Sequence, residues 1–503
     1  MKDKNGLESL DLRVPFWKKP QIDRRVFFRH MATAVGGYYL LPSRPMQTIA
    51  SAAPAPINRA RNCIFILMAG APSHIDTFDF KYIPGVTPAS FNPGYVSPGG
   101  VNFPQGLLPT IAQRLDENLP IAFLRSFRSW ALEHQFAQTW TQIGRSPTSP
   151  LAKVSPHIGS VVSRELYEAN GILPTFMSLN TGGGPANGYF PPQYAPFFFN
   201  PNGAAIPNTS HGALGQPRFE SRHNLLLALD APLRPDGGGG PLGVATDEVA
   251  VFNRQARGLM YNPQVNATFA LDPPDRTRYD SNGAAAGNAF GNACRTAFQL
   301  LNARLGTRFV QITIGGWDNH TGIYAGNNLN PAAPNSVARR FDKGLGELLF
   351  DLNQAGLLND TLVIAQGEFG RTVGASGNLN GQAGRDHFLQ QGVFVAGGGI
   401  NAVGGRAIGT TPEPGGGQAP GSITVDPGWE RGNGRVDPTL RPPLGKHIRN
   451  EDLEATIHSA LGIDYTKVLY DDPLRRGFEY VPFADPELLS NPYLYGPIYE
   501  LWQ

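Results

Sequence analysis

The sequence predicts an α/β protein: a doubly wound, mostly parallel sheet with helices on both faces and Gly/Pro-rich loop insertions. Three observations lead there. Short apolar runs recur without the alternation of a one-sided strand, the pattern of strands buried on both faces. Segments with helical spacing stand between them. Gly and Pro number 60 and 45 of 503 residues, a loop-rich composition that stops short of wholesale disorder.

The first 52 residues stand apart, with nine basic and four acidic residues, and they leave the rest of the chain slightly acidic. That balance offers no basic surface for nucleic acid. Arg24-Arg25, Phe27-Phe28 and Arg29 precede a short, weakly apolar stretch from Met31 to Leu41, and Ala50-Ser51-Ala52 fits a small-residue cleavage site. Residues 1–52 therefore read as a twin-arginine export signal, which predicts contact with the twin-arginine machinery and a periplasmic or secreted protein. The apolar run is too short for a stable membrane span and contains Gly36 and Gly37. Residues 53–503 read as a single α/β domain.

Asn62–Gly70, NCIFILMAG, is a buried strand ending in a small-residue turn. LLPTIAQRLDEN is helical, Ile121–Ser126 is a strand, and Ser155-Pro156 reads as an N-cap with proline opening a helix to about residue 169. Thr175–Leu179 is a further strand. Residues 181–242 read as a loop-rich insertion with a short helix near Leu225. Helices follow around 248–260 and 286–305, and then the rhythm strengthens. RFVQITIGG is a strand, SVARRFDKGLGELLFDLNQAG a helix closed by Gly356, and TLVIAQG and GVFVAGGG are strands. Residues 400–445 are largely a loop without periodicity, and NEDLEATIHSALG is a last helix with an Asn cap. Cys63 and Cys294 both fall in core-like segments, as two buried thiols rather than a bridge.

In open α/β sheets ligands bind beyond the carboxyl ends of the strands. Those ends carry the chemistry here. Asp76 follows the first strand, Asp318 and His320 follow RFVQITIGG, Glu368 and Arg371 follow TLVIAQG, and Asp386-His387 precede GVFVAGGG. His134 follows the second strand. Carboxylates and imidazoles are ligands for Zn²⁺ or Mn²⁺, whereas Ca²⁺ favours oxygen donors alone, so the histidines tilt the choice to a transition metal. Arg371 is suited to hold a phosphate or sulfate oxygen. Against this, a lone acid after a strand often serves as a helix cap or loop hydrogen-bonder. His458 and His157 read as packed helix residues.

The segments GAPSHIDTFDFK, GGWDNHTG, GLLNDTLVIAQGEFGRT, GRDHF, VAGGGINAVGG and EDLEATIHSALGID, in this order, resemble the bacterial exported family of domain of unknown function 1501. That family is distantly similar to the alkaline phosphatase and sulfatase superfamily. The resemblance implies an alkaline phosphatase-like domain and a divalent metal, Zn, Mn or Ca, held by Asp76, Asp318, His320, Glu368, Asp386 and His387. Arg371, from its chemistry, and His134, from its place after the second strand, are the catalytic candidates, acting on an anionic ester of a small molecule or glycan. The implied activity is a metal-dependent phosphoric or sulfuric ester hydrolase; the alternative is a non-catalytic exported binding protein that keeps the fold. The sulfatase Cys/Ser-x-Pro-x-Arg signature is absent, and Ser73, Thr77, Ser126 and Ser129 are all conceivable nucleophiles. Gly70-Ala71 stands where the family shows Gly-Gly, and Val373 where it usually shows proline.

Overall fold

The computed structural model describes residues 55–168, 171–202, 206–210, 212–213, 215–233, 244–280, 289–372, 383–409, 448–482 and 495–503. The expected export signal and most of the 400–445 loop lie outside the described residues. The strands that build and border the site are β1 (Asn62–Ala69), β2 (Ile121–Arg128), β3 (Phe176–Leu179), β4 (Phe197–Phe199), β5 (Phe309–Gly315), β6 (Thr361–Gln366), β7 (Gly370–Arg371), β8 (His387–Phe388), β9 (Gln390–Gly397) and β10 (Arg406–Ile408). Eight form one sheet in the order β10-β2-β9-β6-β1-β5-β3-β4, while β7 and β8 form a separate ribbon. Every neighbouring pair in the sheet is parallel except those made by β9, which runs antiparallel to both β2 and β6.

The unbroken apolar runs follow from burial on two sides. Along β1, Ile64, Ile66 and Met68 join Ile111, Phe290, Phe341, Leu345 and Leu348 in one core. Cys63, Phe65 and Leu67 point the other way, into a core shared with Ile158, Val161, Leu453 and Ile457. The helices Pro109–Asp116, Ala289–Ala303 and Val337–Gln354 thus cover one face, and Ile158–Glu165 and Asn450–Ala460 the other. Each such buried side chain contributes about 1.5–3 kcal/mol. Cys63 and Cys294 are buried and free, one in each core, as the sequence predicts.

Three elements differ from the sequence reading. The insertion is not all loop, because Phe197–Phe199 extends the sheet beside β3, and the helix near Leu225 spans Gly215–Asp230. The helix expected to open at Ser155-Pro156 begins at Ile158, capped by the His157 Nδ1, which accepts from the Gly159 N–H at 2.8 Å. A helix the sequence reading left unassigned, His134–Ile143, follows β2; the Glu133 carboxylate accepts from the N–H groups of Gln135 and Phe136 and starts it.

Candidate metal centre

β6, β1 and β5 are neighbours, so the loops leaving their carboxyl ends share one edge. The antiparallel direction of β9 brings its preceding residues, Asp386 to Phe388, to that same edge. The β7–β8 ribbon completes the approach by pairing Arg371 with His387. Two glycines make the crowding possible. At Gly70, φ is +106° and a Cβ would lie 2.6 Å from the Asp318 backbone nitrogen; at Gly370 a Cβ would lie 1.6 Å from the Gln390 carbonyl oxygen.

The convergence is of ring nitrogens on one carboxylate. His134 Nε2 lies 3.5 Å from Asp318 Oδ2, His320 Nε2 3.0 Å from Asp318 Oδ1, and His387 Nε2 3.9 Å from Oδ1. His320 Nε2 and His387 Nε2 are 3.1 Å apart. Ligand atoms of His134, Asp318 and His387 lie within 4.8 Å of one another, as do those of His320, Asp386 and His387.

Second partners decide where the ring protons sit. His387 Nδ1 lies 2.7 Å from the Leu132 carbonyl oxygen, which only accepts, so Nδ1 carries the proton and Nε2 of the neutral ring presents its lone pair inward. Burial, with the Arg371 charge, lowers the pKa of His387 and keeps that ring neutral. His134 Nδ1 lies 2.6 Å from Glu368 Oε1, and this bond raises the His134 pKa. Its Nε2 is buried without a hydrogen bond. Burial pushes the Asp318 carboxyl up, but the Arg371 hydrogen bond and charge, with His134 and His320 nearby, leave it below the usual carboxylate range.

The remaining predicted residues have other places. Asp76 is buried among Arg385, Tyr324 and Ser73: Arg385 Nε donates at 2.7 Å, Ser73 Oγ at 2.6 Å and Tyr324 OH at 2.9 Å. Glu368 is buried too, and its Oε1 also accepts from the Gly70 N–H and Gln138 Nε2, both at 2.9 Å. It therefore holds His134 from behind, the arrangement by which a carboxylate fixes a metal-ligating imidazole. Arg371 has its donors committed to the carbonyls of Gly70, Ala71 and Arg385 and to Asp318 Oδ1 at 2.6 Å, and its Nη1 lies 3.4 Å from His320 Nε2. Asp386 stands at the exposed rim, with Oδ1 3.6 Å from His320 Nδ1. The hydroxyl of Ser73 is spent on Asp76, Thr77 donates to the Ser73 carbonyl, Ser129 accepts from Gln391, and Ser126 is buried.

Sequence reasoning did not assign Arg385, Tyr324, Gln138 or the Leu132 carbonyl. Arg385 was visible in GRDHF; the others carry no pattern that spacing reveals.

The donor set fits a divalent ion. With metal–ligand bonds of about 2.0–2.1 Å, tetrahedral ligands stand roughly 3.3 Å apart. His134 Nε2 stands 3.5 Å from Asp318 Oδ2, close to that, and His387 Nε2 stands 3.9 Å from the other oxygen, Oδ1. The buried, unbonded His134 Nε2 and the inward lone pair of His387 are what a cation between them would satisfy.

Comparison with known proteins gives a family and a set of distant structural likenesses. No curated protein matches the chain. Among solved structures, the chain is similar to the lipoteichoic acid synthase of Listeria monocytogenes, with 12% identity, a TM-score of 0.34, and 85% of this chain and 77% of that one covered. A protein in the alkaline phosphatase superfamily from Vibrio parahaemolyticus is 10% identical, with a TM-score of 0.34 over 81% of this chain and 69% of that one. A sulfatase from Pseudoalteromonas sp. is 14% identical, with a TM-score of 0.33 over 69% and 64%. Residues 60–426, which carry β1 through β10 and every residue of the cluster, match the family described as protein of unknown function DUF1501, and the chain belongs to that family.

Proposed function

We propose that this protein is an exported, metal-dependent hydrolase of a phosphate or sulfate ester borne by a small molecule or glycan. The observation that carries the reading is the convergence of His134 Nε2 and His387 Nε2 on Asp318, each ring held from behind by an oxygen acceptor. His134, Asp318 and His387 would hold one ion and leave a position open, the pattern of catalytic rather than structural sites. Two imidazoles in the set favour Zn²⁺ or Mn²⁺ over Ca²⁺. When bound, the ion supplies Lewis acidity to an ester oxygen and makes water a competent nucleophile at neutral pH.

The chain's own residues do the rest. Glu368 and the Leu132 carbonyl orient the two rings, and Arg371 keeps Asp318 ionised. Arg371 acts on the ester through that charge and not by direct contact, since its donors are committed within the protein. His320, at the rim with Asp386 behind it, is placed to carry a proton to the leaving oxygen. Water is the nucleophile in this reading, because the candidate hydroxyls are buried and Ser73, Thr77 and Ser129 are bonded elsewhere. The paired arginines at the N-terminus support export through the twin-arginine machinery to the periplasm or beyond. Among the described residues no helix is long and apolar enough to cross a membrane.

Metal analysis of the purified protein, followed by assay against aryl phosphates and aryl sulfates, tests the reading. One ion per chain with metal-dependent turnover is expected. Metal without turnover on any ester supports the rival, an exported binding protein that keeps the fold and the ion. No metal and no turnover overturns both.

A further inference from the structure

The orientation of both ligating rings passes through one loop. Residues 129–133 supply the Leu132 carbonyl that fixes His387 and the Glu133 cap that starts the helix at His134. Beyond the buried Ser129 the loop is lightly packed: Trp130 and Leu132 are 41% and 42% exposed. A segment so lightly packed holds a carbonyl in place only if something pins it.

Ser129 is held by the Leu389 carbonyl and by Gln391, and the start of the helix Asn450–Ala460 pins the exposed part. The buried Glu451 carboxylate accepts from the indole N–H of Trp130 at 3.0–3.1 Å, and from the indole N–H of Trp140 at 3.0 Å. Trp130 lies on the loop, while Trp140 lies on the helix that also carries His134 and Gln138. The two indoles stack with centroids 5.7 Å apart and planes 17° from parallel. The Arg449 guanidinium lies 3.9 Å over the Trp130 ring and donates to the carbonyls of Arg128 and Ser129 at 3.0 and 3.1 Å. One carboxylate thus ties the loop to the helix, and its neighbouring guanidinium ties down the loop's first residues.

We infer that Glu451 and Trp130 are positioning residues for the metal centre, clamping the loop 129–133 and the helix His134–Ile143 into the one arrangement in which His134 and His387 face Asp318 together. The inference rests on the metal-site reading above. A buried carboxylate held by two rigid indole donors is directional where apolar packing is not, and losing one member leaves the others unsatisfied. The metal-facing nitrogens feel that loss although no member of the clamp touches the ion.

The test is metal affinity of the full chain, by competition with a chromogenic chelator, alongside the visible spectrum of the Co²⁺-loaded protein. Trp130→Phe removes the N–H and keeps the ring; Glu451→Gln keeps the shape and removes the charge. Both are expected to weaken metal binding about tenfold, as loss of outer partners does elsewhere, and to shift the Co²⁺ bands. The control is Asp342→Asn, across the sheet, where the carboxylate accepts from the N–H groups of Thr110 and Ile111. That change is expected to lower stability and leave affinity and spectrum unchanged. Wild-type affinity and spectrum in both clamp variants would overturn the inference while leaving the metal site intact. No binding by the unsubstituted protein would instead overturn the metal site itself, and the clamp with it.

Discussion

His134 donates its Nδ1 proton to Glu368 Oε1 across 2.6 Å, joining residues far apart in sequence beside the carboxyl edge of the sheet. The bond leaves Nε2 as the ring's only free nitrogen, and that atom faces Asp318. A carboxylate that reads from sequence as a ligand thereby uses one oxygen, Oε1, to orient one, while its Oε2 is buried without a hydrogen bond.

Glu368→Gln tests that division of labour. Glutamine keeps a carbonyl for the Gly70 and Gln138 donors but removes the charge that raises the His134 pKa and strengthens its Nε2. Metal affinity is expected to fall about 10–100-fold with the fold retained. Chelator competition and circular dichroism check it; unchanged affinity would reduce Glu368 to a structural hydrogen-bonder.

Arg371→Ala is expected to cost stability rather than substrate binding alone. The guanidinium is buried and holds the carbonyls of Gly70, Ala71 and Arg385 beside Asp318. Leaving buried carbonyls without their donors costs about 1–3 kcal/mol. Denaturant unfolding would show the loss. A variant of wild-type stability with only a raised KM would return Arg371 to direct ester binding.

Ala71 adopts φ of +63°, a left-handed conformation in which a side chain is strained. Ala71→Gly is expected to change stability by less than about 1 kcal/mol, because the relieved strain is offset by backbone entropy and by loss of a methyl buried against Ala137 and Phe369. Denaturant unfolding checks it, and a larger shift of the midpoint in either direction would contradict the balance.

Stability should fall in mild acid. His74, His157 and His458 are fully buried, and burial lowers each pKa from 6.5 to about 3; for His74 the Arg385 and Lys81 charges add to this. Between those values the unfolded chain binds protons the folded chain refuses, so their contribution is complete above pH 6.5 and is lost as pH drops toward 3. The expected loss from pH 7 to pH 5 is roughly 2 kcal/mol per ring. Denaturant titrations at the two pH values measure it, and His458→Leu should remove about a third of the dependence. A flat profile would contradict the neutral burial of these rings.

Much of this architecture was legible in the sequence because strands buried on both faces leave long apolar runs. NCIFILMAG, RFVQITIGG and TLVIAQG became β1, β5 and β6, and the rule that ligands gather at strand ends led to Asp318, His320 and His387. The direction of β9 was not legible, since an apolar run reads the same whichever way it lies. Its antiparallel course is why residues before that strand reach the same edge. The use of each carboxylate was also hidden. Asp76 and Glu368 look like Asp318 in sequence, yet Asp76 is taken by Arg385, Ser73 and Tyr324, and Glu368 turns Oε1 to His134, Gly70 and Gln138 while its Oε2 is buried without a hydrogen bond. The helix His134–Ile143 was missed because its cap, Glu133, is not among the usual capping residues.

A structure of the chain loaded with Zn²⁺ tests the central claim most directly. The ion should sit between His134 Nε2, Asp318 and His387 Nε2 with bonds of about 2.0–2.2 Å, and Glu368 should remain on His134 Nδ1. An ion held by Asp76 or Glu368 instead, or none between the two imidazoles and Asp318, would contradict it.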